Sequence, residues 1–122
     1  MKMSPIFVLA FLLSVILVMV ISQNTDEELE QVWCIANLAA SKEKIIDALN
    51  WACGQRDDIC LNIQEDKPCY IPNLLKDHAS YAFNSYYQKF KFHGAACNFG
   101  GAAKITKIDP SYGSCKYEFA MA

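Results

Sequence analysis

Hydrophobic positions along the chain fall into four patterns. Residues 6–21 are a continuous apolar run broken only by Ser14, with Lys2 ahead of it and Val20-Ile21-Ser22 behind it. That layout predicts a secretory leader over residues 1–22, cut after Ser22; a signal anchor is the alternative. Residues 23–32 follow with Asp26, Glu27, Glu28 and Glu30 and predict a flexible acidic arm. Beyond the arm, Ser41 can cap a helix, Glu43 sits in its first turn, and Ile45, Ile46, Leu49, Ala52 and Cys53 recur at helical spacing before Gly54. The spacing predicts a helix over residues 42–53. Trp51 falls off the apolar stripe of that helix, so it either packs under a loop or shows its ring to solvent.

Residues 54–73 carry Gly54, Asp57, Asp58, Asp66, Pro68 and Pro72 without a period, which predicts a loop. A second helix is predicted over residues 73–89, with Asn73 as cap and Leu75, Ala79, Ala82, Phe83, Tyr86 and Phe90 as the stripe that faces the first helix. On its far side the wheel gathers Tyr81, Asn84 and Gln88, with Tyr87 on the flank. Residues 103–108 and 115–119 then alternate apolar and polar around the turn at 109–113, which predicts a short antiparallel hairpin. The fold class expected is α+β: one small domain, residues 33–119, of two packed helices, a short antiparallel β-hairpin and long loops.

Cysteine usage explains how so small a domain can hold. All six cysteines, Cys34, Cys53, Cys60, Cys69, Cys97 and Cys115, lie after the leader, an even number in a short exported chain, and so read as three disulfides. Zinc is the weaker reading, because no C-x2-C pair occurs and His78 and His93 are far apart in sequence. The net charge of −2 drops to −3 when Lys2 leaves with the leader, which argues against nucleic-acid and membrane-lytic partners. Catalytic chemistry is sparse: G-x-S-x-G and H-E-x-x-H are absent, and no cysteine is expected to be free. His78 with His93 could in principle serve a small nuclease. Asp57/Asp58 and Glu65/Asp66 could serve a glycosidase only if one were buried beside a cleft. Aromatic residues are plentiful, and flat rings suit the apolar faces of sugars, with amides at the rim for hydroxyls. Tyr81, Asn84, Tyr87 and Gln88, with Tyr112 in the turn before Cys115, are the expected carbohydrate contacts. No cofactor and no metal are expected.

Several segments together carry a resemblance: Trp33-Cys34-Ile35-Ala36-Asn37, residues 48–54 (ALNWACG), Cys69-Tyr70-Ile71-Pro72-Asn73, residues 78–88 (HASYAFNSYYQ), Cys97-Asn98-Phe99-Gly100-Gly101 and residues 109–115 (DPSYGSC). These resemble the plant X8 domain, the family 43 carbohydrate-binding module. A copy standing alone behind a leader resembles its small, pollen-allergen-like members. The resemblance implies binding without hydrolysis of β-1,3-glucans such as callose and laminarin, in the cell wall or the space around it. A monomer is expected, with any hydrolysis left to a separate glucanase. The resemblance also implies the pairing Cys34 with Cys97, Cys53 with Cys60, and Cys69 with Cys115. Only residues 119–122 follow Glu118, so no membrane anchor is expected on the mature form. Lys67-Pro68 and residues 89–93 (KFKFH) depart from the family pattern. A protein-interaction or defence module is the remaining rival.

Overall fold

The computed structural model describes residues 4–25 and 30–122. The chain divides into two units, residues 1–30 and 31–122. In the first, helix α1 (Pro5–Thr25) begins with proline at its first position, where a missing N–H costs nothing, and the side chains from Ile6 to Leu17 that it presents are apolar apart from Ser14. Part of the acidic arm, residues 26–29, lies outside the described residues.

The second unit is a small α+β domain. Strand β1 (Trp33–Ala36), helix α2 (Lys42–Cys53), helix α3 (Leu75–Phe90) and strand β2 (Ala103–Thr106) follow in chain order, joined by coils and short 3₁₀ turns. Ser41 caps α2 as expected, its Oγ accepting from the Lys44 amide at 3.2 Å. The start of α3 differs from expectation: its cap is Leu74, and the Asn73 side-chain amide instead donates to the Tyr70 hydroxyl at 3.0 Å. α3 packs against α2 on one side and β1 on the other, so it runs through the centre of the domain. Ala79, Ala82 and Phe83 are buried along it.

The sheet is two-stranded and antiparallel, but β2 does not pair with residues 115–119. Its partner is β1, with Trp33 opposite Thr106 and Ala36 opposite Ala103. Residues 115–119 contribute only an isolated bridge between Tyr112 and Cys115. The Trp33–Ala36 stretch hid its strand character because three of its four residues are buried, so it lacks the alternation of a half-exposed strand.

Alternation of the backbone leaves the Cys34 and Ala36 amides on the edge of β1 away from β2, and α3 satisfies that edge with side chains. Ala36 N donates to Ser80 Oγ at 2.9 Å and Cys34 N to Asn84 Oδ1 at 3.1 Å, while Gln88 Nε2 donates to the Val32 carbonyl at 3.0 Å. Four helical residues rise about 6 Å and two strand residues about 6.7 Å, so positions 80, 84 and 88 keep step with 36, 34 and 32. The same side chains hold the C-terminal segment: Asn84 Nδ2 donates to the Glu118 carbonyl at 2.9 Å and Gln88 Oε1 accepts from the Ala120 amide at 3.1 Å. Lys89 pairs with the Glu118 carboxylate beside Ser85.

Three disulfides close the domain: Cys34–Cys97, Cys53–Cys60 and Cys69–Cys115. These partners coincide with those the resemblance implies. The first spans 63 residues and ties β1 to the loop ahead of β2.

Candidate functional site

The ladder on α3 overturns part of the expected site. Tyr81, Asn84 and Gln88 are only 6%, 1% and 1% exposed. Tyr81 accepts a hydrogen bond from Asn62 Nδ2 at 2.8 Å and sets its ring edge-on to Tyr117, with centroids 5.3 Å apart. Asn84 and Gln88 spend their amides on each other and on the backbone of β1, of Val32 just ahead of it and of the C-terminal segment. None of the three is a surface contact. The helical wheel found their common face correctly, but that face meets β1 rather than solvent. Tyr87 is half-buried, with the Lys91 ammonium 5.8 Å from its ring centre. Tyr112, also half-buried, lines a separate hollow. The five residues are therefore not brought together.

Other expected chemistry is also distributed. His78 makes a 2.7 Å hydrogen bond to the Tyr70 carbonyl, and His93 is exposed in the turn after α3. Asp58 is held by Arg56 through paired contacts of 2.7 Å, which keep its carboxyl down at about 2.

Rings do gather elsewhere on the exterior. On α2, Lys44, Asp47, Ala48 and Trp51 stand at i, i+3, i+4 and i+7 and so share one face. Opposite them are Tyr86 from α3 and Ala96, Phe99 and Gly100 from the following loop, and together with Ser41 and Glu43 they line a groove of about 640 Å³. That volume is ample for a ligand of several rings. Trp51 is 49% exposed, yet it is braced: Tyr86 meets it edge-on at 5.0 Å and Phe99 at 5.9 Å between centroids. Phe99 in turn stacks on buried Phe83 at 4.4 Å, with 22° between the planes. The expectation that Trp51 either packs or faces solvent thus resolves into both.

The loop reaches this position through an uncommon backbone. Phe99 has φ 52°, in the left-handed region where a bulky side chain is strained, and Gly100 and Gly101 continue at 64° and 95°. Three features hold it there: the Cys34–Cys97 bridge, the Phe83 stack, and Asn98, whose Oδ1 accepts from the Gly101 amide at 2.8 Å. Sequence reasoning missed Trp51, Tyr86 and Phe99 as one site. The available signals were a tryptophan off the helix stripe and an aromatic residue wedged between Asn98 and two glycines.

Chemically, the groove offers an aromatic wall with one ring half open, and a rim carrying two carboxylates, an ammonium and a hydroxyl. Such an arrangement can stack a flat ring on its aromatic wall and hydrogen-bond polar groups at its edge. The family model of the X8 domain matches residues 32–104. The chain belongs to the X8 domain family. This X8 domain is 52% identical over 85 residues to glucan endo-1,3-beta-glucosidase 4 of Arabidopsis thaliana, a match covering 70% of this chain and 17% of that enzyme. It is 44% identical over 85 residues to a glucan endo-1,3-beta-glucosidase of Triticum aestivum, covering 70% of this chain and 18% of the relative. It is 40% identical over 87 residues to plasmodesmata callose-binding protein 5 of Arabidopsis thaliana, covering 71% of this chain and 48% of the relative. The X8 chain therefore spans under a fifth of the glucosidases' length and about half that of the callose-binding protein. The groove residues Trp51, Tyr86 and Phe99 all lie within the matched region.

Proposed function

We propose that this protein is a non-catalytic β-1,3-glucan-binding module of the cell wall, and that the Trp51 groove is its sugar site. The observation that carries the reading is a half-open indole braced edge-on by Tyr86 and Phe99 beneath a polar rim. A braced ring needs little ordering when ligand arrives, so the apolar face of a glucose unit can lie on it without loss of side-chain freedom. Glu43, Asp47 and Lys44 stand where hydroxyls need partners. Membership of the X8 family and the name of the callose-binding relative support the choice of glucan. The apolar helix α1 fits a leader removed at about Ser22, which would deliver the domain to an oxidising compartment suited to three disulfides. In this reading the mature domain is a monomer outside the cell, and a separate glucanase performs any hydrolysis.

One ring contributes about 1 kcal/mol on the scale of aromatic pairs, so longer glucans bind better than single sugars. The test is retention on insoluble β-1,3-glucan with cellulose as control. Trp51→Ala is expected to lose most retention while still melting in one transition, and high salt should change wild-type retention little, because the ligand is uncharged. Equal retention of Trp51→Ala, equal retention on cellulose, or release of reducing sugar would contradict the proposal.

A further inference from the structure

A second hollow, of about 500 Å³, is lined by Asp66, Lys67, Pro68, Ile71, Tyr112, Gly113 and Ser114. It shares no residue with the Trp51 groove. Its two walls are loops that flank the buried Cys69–Cys115 bridge, so the hollow is framed by a covalent tie instead of forming around a ligand. Each wall is also fixed by its own hydrogen bonds. Tyr112 and Cys115 exchange backbone bonds of 3.0 and 2.9 Å, and Ser111 Oγ accepts from the Tyr117 amide at 2.9 Å. On the other wall, Cys69 N donates to the Asn62 carbonyl at 2.9 Å and Tyr70 N to that of Lys67 at 3.1 Å.

The surface so presented is mixed. Tyr112 is half-buried against the core, and Ile71 is 74% exposed although it is branched and apolar. Asp66, Lys67 and Ser114 supply donors and acceptors, and the opposite charges of Asp66 and Lys67 cancel. An anion or a cation would meet one charge of its own sign here. A neutral polyhydroxylated ring meets an apolar platform and hydrogen-bonding groups on both sides.

We infer that this hollow is a second β-1,3-glucan site, so that one domain holds two glucan segments, of one long polymer or of two. The inference rests on the glucan reading above but names different residues. Two sites on a rigid scaffold give a long polymer an avidity that a short oligosaccharide cannot show.

Calorimetry with a short β-1,3-gluco-oligosaccharide, which occupies one site at a time, tests it. The expected stoichiometry is two per wild-type chain and one for each of Trp51→Ala, Tyr112→Ala and Ile71→Asp. Ile71 is exposed, so its variant keeps the hollow testable if Tyr112→Ala folds poorly. Each single-site variant should also bind long soluble glucan about tenfold or more weakly and fail to cross-link it into turbid complexes. A stoichiometry of one that vanishes in Trp51→Ala and is untouched by Ile71→Asp overturns the second site and leaves the first standing. Absence of any binding by the wild-type protein overturns the glucan reading itself.

Discussion

Arg56 and Asp58 form an exposed ion pair that makes a small, pH-dependent contribution to stability. The Arg56 guanidinium holds the Asp58 carboxyl at about 2, against 3.8 for the free group, so between those values the unfolded chain binds the extra proton. Stability from this pair is present above pH 3.8 and is lost as pH falls through about 2. The melting temperature should therefore decline across that window, and Asp58→Asn should flatten the decline; an identical profile for the variant would remove the pair from the account. Because both side chains are exposed, the effect is modest. The pair was not legible as such: Asp57 and Asp58 read alike as adjacent acids of a loop, and only the fold sets one of them against Arg56.

At the scale of elements, α3 is a polar spine as much as an apolar one. Its apolar stripe was legible, and Tyr86 and Phe83 lie where the spacing predicts. The opposite face was misread because periodicity counts an amide as a solvent-facing residue, whereas Asn84 and Gln88 replace a missing strand along the edge of β1. Likewise β2 was legible from alternation, but its partner was not, since Trp33–Ala36 is too buried to alternate. Asn84→Ala strips partners from the Cys34 amide and the Glu118 carbonyl together, and leaving buried groups unpaired should cost about 3 kcal/mol. Urea unfolding measures this directly; a loss below 0.5 kcal/mol, about the floor for one ordinary hydrogen bond, would mean the ladder contributes little.

For the domain as a whole, crosslinks and the groove are linked. Cys34–Cys97 fastens the loop that carries Phe99 to β1, so the bridge supports both the fold and the left-handed turn that braces Trp51. Replacing both cysteines by serine should lower stability by about 4 kcal/mol and weaken glucan binding beyond what the Cys53–Cys60 double variant does, since that bridge closes a loop of only 7 residues. Equal effects of the two double variants on binding, measured below their melting temperatures, would detach the loop from the site. The six cysteines announced a stapled domain from sequence, and the resemblance supplied their partners. Where the exterior rings would meet depended on three segments distant in sequence, which no local pattern encodes.

Intrinsic fluorescence reports directly on whether the Trp51 ring meets the sugar. Trp33 is buried and Trp51 is half-open, so the ring that meets a ligand can be followed against one that does not. Titration with a β-1,3-gluco-oligosaccharide should shift emission to the blue as water leaves the Trp51 face. The shift should saturate as the Trp51 groove fills and disappear in Trp51→Phe, while a cello-oligosaccharide leaves the spectrum unchanged. Saturable glucan binding with the Trp51 emission unmoved would contradict the account and place the sugar elsewhere on the domain.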